Sequence, residues 1–312
     1  MTTFLEIKDH QLLLLKGPDA QKFLQGQVTC DIDQLAITNS VSKSILGAHC
    51  THKGRMLFSF LACQFDEHTV VLSIYAPLLA EAHAQLKKYS IFSKVDLIDA
   101  SESHRIIAYK GSNLDPLKAL GIAIPNIAGE VTHLDSGITL IKLDDDRYEI
   151  WISAANAQKI SAFASLPSGD EQWCIDNIKQ GIAEVRTETV EEFIPQMLNF
   201  QVLREAISFT KGCYTGQEVV ARMHYLGKLK KHLYHFSVDA STPLLPNTPL
   251  YTPDKKQAIG HVALSAPIKS GQILLAVVTE EAVIGDKVFV DQNYQQKLQA
   301  QPLPYAITEA NI

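Results

Sequence analysis

At 312 residues, with 46% hydrophobic and 20% charged side chains, the chain can bury a substantial interior and is long enough for two or three domains. Its formal net charge of -6 argues against a broad nucleic-acid footprint, which needs clustered cations. The five cysteines, at 30, 50, 63, 174 and 213, form no CxxC pair, so no disulfide framework, zinc site or iron–sulfur site is legible in their spacing.

The N-terminus lacks a basic segment followed by an apolar one, so a secretory signal is not expected. The longest aliphatic runs are far too short to span a bilayer, and a cytoplasmic protein is the expectation. Gln11 to Lys16 reads as a strand, Gly17-Pro18 as a turn, and Ala20, Phe23 and Leu24 as the buried stripe of a helix with Pro18 at its first position. Apolar alternation returns at Leu57 to Cys63, and Thr69 to Tyr75 is a β-branched run. Pro77 then opens a helix with Leu78, Leu79, Ala82, Leu86 and Tyr89 on one face. Strands are expected at Lys94 to Ile98, Arg105 to Tyr109, Gly137 to Leu143 and Tyr148 to Ile152, with a looser region around Gly111 to Pro125. Asp144, Asp145 and Asp146 read as a turn. Helices are expected at Ala154 to Ala164 and Glu171 to Gly181.

This interleaved but not strictly alternating order gives an α+β fold class. After about residue 230 the character changes. Leu233 to Val238, Ile259 to Leu264, Gln272 to Val278 and Lys287 to Val290 read as short strands, and four prolines fall between Asp239 and Asp254, the pattern of a small all-β module. No GxGxxG lies between a strand and a helix and no GxxxxGK[ST] occurs, so nucleotide binding by those routes has no support.

The most chemically specific stretch is Lys211-Gly212-Cys213-Tyr214-Thr215-Gly216-Gln217-Glu218. Thr215 and Glu218 have capping-box spacing and Val219, Val220 and Met223 continue at helical spacing, so a helix is expected from Gly216. Cys213 would then lie just outside the positive end of a helix, two residues from Lys211, and both features favour thiolate over thiol. The same residues also read as a small apolar cysteine packed behind a helix cap. Arg222, His224, Lys228, Lys230, Lys231 and His232 could face phosphate or form a solvated basic helix end. Arg222 could equally pair with Glu218 one turn away, worth about 0.3–0.5 kcal/mol. His49 and His52 flank Cys50 without a distant partner pair, so no metal site is expected. The charged run Glu184, Arg186, Glu188, Glu191 and Glu192 reads as solvated, although Glu184 and Arg186 follow a helix end.

Several of these stretches together resemble the YgfZ family, folate-binding proteins tied to tRNA modification and iron–sulfur enzymes and related to the glycine cleavage T-protein, an aminomethyltransferase. The resemblance runs through Gly17-Pro18-Asp19-Ala20, Phe23 to Thr29, His52-Lys53-Gly54-Arg55-Met56, Phe193-Ile194-Pro195-Gln196, Leu198-Asn199, Ile207-Ser208-Phe209, the Lys211 to Glu218 block, and Pro302-Leu303-Pro304-Tyr305. It implies two interleaved ferredoxin-like modules over residues 1–230 and a C-terminal antiparallel β-barrel over 231–312, arranged as a three-domain ring around a central cavity. It also implies tetrahydrofolate or another reduced folate in that cavity. Trp173 matches one of two aromatic positions that hold the folate, and His10 stands where the family has a second tryptophan. Without the resemblance, Trp173 reads as a core anchor of its helix. Glu184 and Arg222 are further candidates for contacting the folate.

The T-protein carries an essential carboxylate in the segment matching Gly54 to Phe60, which here holds no Asp or Glu. Ser59 cannot supply the charge, and Asp66 and Glu67 fall in the hairpin beyond. Ordinary aminomethyl transfer is therefore not expected. Whether the chain is an enzyme stays open. One reading is an accessory factor whose Cys213 thiolate, with Lys211 beside it, supports iron–sulfur enzymes or assembly proteins and affects tRNA indirectly. A second is a one-carbon transferase with Cys213 as nucleophile, and a third is direct tRNA binding through the basic stretch.

Overall fold

The computed structural model describes residues 3–134, 137–203, 205–225, 227, 229–239 and 243–307. The chain divides into two compact units, each drawn from two stretches: Met1–Gly47 with Phe60–Asp170, and Ala48–Ser59 with Glu171–Ile312. Residue 230, where the sequence changes character, lies inside the second.

The strands and helices of the first half are β1 (Thr3–Ile7), β2 (His10–Lys16), α1 (Ala20–Gln25), β3 (Val41–Lys43), β4 (Ile45–Cys50), β5 (Met56–Asp66), β6 (Thr69–Tyr75), α2 (Leu79–Lys87), β7 (Asp96–Asp99), β8 (His104–Lys110), α3 (Asp115–Lys118), β9 (Glu130–Leu134), β10 (Ile138–Lys142), β11 (Arg147–Ser153) and α4 (Ala154–Ala157). They form a six-stranded sheet in the order β1-β8-β11-β10-β9-β3 and a five-stranded sheet in the order β4-β5-β6-β2-β7. The pairings of the first sheet are antiparallel, with Ile138 opposite Ile152 and Ile150 opposite Ile107. One face of that sheet buries Ile107, Tyr109, Leu140, Tyr148, Ile150, Ala157 and Phe163 in a single core.

Most expected elements form where the period placed them, and the departures have physical reasons. Met56 to Gln64 is buried continuously rather than alternately, as in a strand covered on both faces. Pro18 precedes the N-cap Asp19 and so lies outside α1. Tyr89 falls beyond the end of α2 and is 50% exposed. The helix expected over Ala154 to Ala164 is two short pieces, α4 and a 3₁₀ turn at Ser161–Phe163. Ala157 and Phe163 both reach the same core, yet on one continuous helix six residues would set them about 120° apart. The break lets both face inward. The region around Gly111 to Pro125 holds α3, which starts at a proline-bearing first turn. Asp144 lies in the β10–β11 turn as expected, but its carboxylate also binds the buried Arg147 guanidinium at 2.6 Å.

The remainder comprises α5 (Asp170–Lys179), α6 (Gln217–Tyr225), β12 (Lys231–Val238), β13 (Pro249–Thr252), β14 (Lys255–Ile268), β15 (Gly271–Thr279), α7 (Glu280–Ile284) and β16 (Gln299–Gln301). The strands form an antiparallel sheet in the order β13-β14-β15-β12-β16. Phe236, Leu250, Val262, Leu274, Ala276 and Val278 fill its core. Lys287 to Val290 forms no full strand; Phe289 makes isolated bridges to Tyr251 and Lys297.

The Pro302 to Tyr305 stretch is tied down within the second unit. Tyr305 Oη donates to Gly181 O at 2.7 Å and accepts from Asn199 Nδ2 at 3.4 Å, while the same amide donates to Leu233 O at 2.9 Å. Burial pushes the Tyr305 hydroxyl up to about 12, so it stays a donor at any ordinary pH. Tyr305→Phe removes the partner of a half-buried carbonyl, and chemical denaturation is expected to show a loss of about 1–2 kcal/mol.

Candidate functional site

The segments carrying the resemblance after residue 50 converge within the second unit. A tight turn joins β4 to β5: Gly54 N–H donates to Thr51 O at 2.9 Å, and Thr51 Oγ1 accepts from the N–H groups of Lys53 and Arg55, each at 3.3 Å. Gly54 adopts φ +70°, and a Cβ there would lie 3.0 Å from Val219 Cβ. Gly216, just before α6, adopts φ +84°, and a Cβ there would meet Thr51 O at 2.5 Å and Cys50 Cβ at 3.1 Å. Only glycine fits at that contact. The two glycines thus interlock the turn bearing His52 and Lys53 with the loop bearing Cys213. Sequence reasoning placed both stretches in one family pattern, but no local signal said that they touch.

Other contacts fix the surroundings. Gln196 Nε2 donates to Val220 O at 2.7 Å, tying the turn at Pro195 to the middle of α6. Met56 N–H donates to Phe193 O at 2.9 Å, and the Arg55 guanidinium donates to Glu192 O. Glu192 Oε1 lies 3.2 Å from His261 Nδ1.

Cys213 is exposed, which overturns the packed-cysteine reading. Cys30, Cys50 and Cys63 are buried and Cys174 is half-buried; burial pushes the Cys50 thiol up to about 12 and lifts Cys63 well above its usual range. Lys211 Nζ sits 5.2 Å from the centroid of the Tyr214 ring, and its backbone N–H donates to Ser208 Oγ at 3.2 Å. The helix begins at Gln217, one residue later than expected, because Gly216 is left-handed; Glu218 therefore stands in the first turn rather than completing a capping box with Thr215.

Trp173 is buried on α5, with 3% of its surface exposed, and belongs to the second unit. His10 opens β2 in the first unit, its ring 6.3 Å from that of Tyr75. Glu184 and Arg186 are not part of a solvated run: they form an ion pair whose side chains are 16% and 9% exposed. Arg222 is exposed, and among the described residues it makes no ion pair with Glu218. The basic stretch is a solvated helix end only in part: Arg222, in the last turn of α6, and Lys230 are exposed, and the other described members are engaged elsewhere. His224 stacks on Phe209 at 3.8 Å, Lys231 and His232 belong to β12, and His232 is 2% exposed. Desolvation pulls the Lys231 ammonium below its ordinary value, an effect that Glu192 opposes. Lys228 lies outside the described residues. Ser59 is also occupied: its Oγ accepts the Val185 N–H at 2.9 Å. Asp66 and Glu67 fall at the β5–β6 hairpin as expected, with Asp66 Oδ1 accepting from His68 N–H at 2.9 Å.

No family model matches the chain. Among solved structures it is similar to glycine cleavage system aminomethyltransferase T from Bartonella henselae, at 13% identity and a TM-score of 0.72 over 96% of this chain and 84% of that one. This establishes the fold. Among curated proteins it is 32% identical to the tRNA-modifying protein YgfZ of Sodalis glossinidius, covering 98% of this chain and 94% of the relative. It is 30% identical to that of Photorhabdus laumondii, covering 98% and 93%. Similarity of that extent from end to end, on an aminomethyltransferase fold, means that the chain belongs to the YgfZ family.

Proposed function

We propose that this chain is a folate-binding accessory factor that supports iron–sulfur-dependent tRNA modification and uses Cys213 as its reactive group. In this reading residues 1–230 form two interleaved ferredoxin-like modules and 231–312 a β-barrel, the three arranged as a ring around the folate. The observation that carries the proposal is the exposure of Cys213 in a loop that two glycines hold in place, while the other four cysteines are buried or half-buried. A thiol kept at the surface in an otherwise cysteine-sparing exterior is placed for chemistry with a partner.

The donor set suits a reduced folate. Gln196 Oε1 and Asn199 Oδ1 are buried acceptors without a hydrogen-bond partner among the described residues, and in this reading they would accept from the N–H groups of the folate. Trp173 and His10 would hold the folate ring, and Glu184 and Arg222 its polar groups. A bound folate would supply a one-carbon or redox-active heterocycle; the chain supplies the thiol and the positioning. The engagement of Ser59 with Val185, in the segment where the T-protein has its carboxylate, favours the accessory role over aminomethyl transfer.

Calorimetric titration with tetrahydrofolate is expected to show saturable binding, and Cys213→Ser is expected to leave that affinity and the unfolding midpoint unchanged. The same variant should fail to restore iron–sulfur-dependent tRNA modification in cells lacking the protein. Full restoration by the serine variant would remove the thiol from the mechanism, and absence of folate binding would remove the cofactor.

A further inference from the structure

Just beyond α2 stands the most exposed large apolar side chain among the described residues, Phe92 at 98%, with Ile91 at 76% and Tyr89 at 50% beside it. They are held out by an ordered turn. Ser90 is buried, its N–H and Oγ donating to Lys87 O at 3.3 and 3.1 Å. Ser93 N–H donates to Ser90 O at 2.9 Å, and Val95 N–H to Ser93 O at 2.9 Å. Lys94 N–H donates to Asp19 Oδ2 at 2.7 Å, which anchors the turn to the start of α1. The nine residues from Lys87 to Val95 contain three lysines, Lys87, Lys88 and Lys94, and no acid, in a chain whose net charge is -6. Single exposed apolar residues are ordinary, but adjacent Ile and Phe held outward in a segment that carries three lysines have the form of an interface anchor.

We propose that this tip docks into a partner protein that offers an apolar pocket edged by carboxylates. The charge selects such a partner, because the lysines gain from an acidic rim while Ile91 and Phe92 fill the pocket. Phe92 and Tyr89 could stack on bases, but aliphatic Ile91 needs an apolar pocket, which a protein offers and a single strand does not. The inference stands whether or not folate binds.

The test places p-benzoylphenylalanine at position 92 of the full chain and irradiates living cells. One discrete protein adduct is expected, with its yield falling about tenfold when Lys87, Lys88 and Lys94 are all changed to Glu. The adducted protein, identified and purified, should bind the wild-type chain saturably, and Phe92→Asp should weaken that binding about tenfold or more. Because Phe92 packs against almost nothing, this substitution leaves folding intact, which a thermal melt checks. No adduct, an adduct insensitive to charge reversal, or binding unaffected by Phe92→Asp overturns the proposal. An adduct destroyed by ribonuclease or extracted with lipid also overturns it, in favour of an RNA or membrane contact.

Discussion

Gly216→Val is expected to destabilise the protein by about 3 kcal/mol or more, among the largest effects of any single change near the site. A β-branched residue at φ +84° carries backbone strain of about 1–3 kcal/mol. To this is added a clash with the carbonyl of Thr51, which lies 2.5 Å from the position of the new Cβ. Backbone on both sides of that contact leaves no flexible side chain to move aside. Urea denaturation should show the lower midpoint, and the rate of Cys213 alkylation should change because its loop leaves the 51–54 turn. Gly212→Val is the matched control. Nothing lies within 4 Å of its Cβ position, so its midpoint should stay within about 0.5 kcal/mol of wild type. Equal midpoints for the two variants would mean that the glycine interlock does not hold the loop.

Acidification should weaken the second unit through two histidines on β12. His232 and His235 are 2% and 9% exposed, and desolvation lowers both below the ordinary histidine value. The carbonyls of Leu229 and Pro302 and the charge of Glu280 oppose this, whereas Lys179 reinforces it at His235. A lowered folded value means that the unfolded chain binds the proton first. Stability is therefore complete above about pH 7 and is lost as pH falls from the unfolded value near 6.5 towards the lowered folded one. Each histidine can contribute at most about 1.4 kcal/mol per pH unit in that window, less where solvent reaches it. Urea titrations at pH 7.5, 6.5 and 5.5 should give a falling midpoint, with a shallower fall in His235→Gln. His104 and His133, also lowered by burial, leave a residual slope in that variant. An identical slope would show that His235 does not contribute, because His232 remains on β12 in that variant.

Elements with a strong local residue pattern were legible before any coordinates. Thr69–Tyr75 coincides with the β-branched run, and Ala20, Phe23 and Leu24 are the buried residues of α1. The local pattern failed where tertiary contact overrode it. Phe163 could enter the core beside Ala157 only if the helix broke, and the edge strands β3 and β16, each three residues long, are defined by their sheet neighbours rather than by a pattern of their own. The charged run from Glu184 looked solvated because charge was visible and pairing was not. The Glu184–Arg186 ion pair withdraws those two side chains from solvent while Glu188 and Glu191 stay exposed, and no propensity encodes that difference.

By itself the sequence determined the family, through ordered motifs spread over nearly its whole length, and the element types, through apolar periodicity, because both are properties of residues close together in the chain. Only the tertiary structure decided that Cys213 faces solvent, that Gly54 and Gly216 lock its loop to the His52–Lys53 turn, and that Trp173 is enclosed. Exposure and contact between residues some 160 positions apart depend on how the sheets pack, and packing is a sum over the whole chain that no short stretch contains.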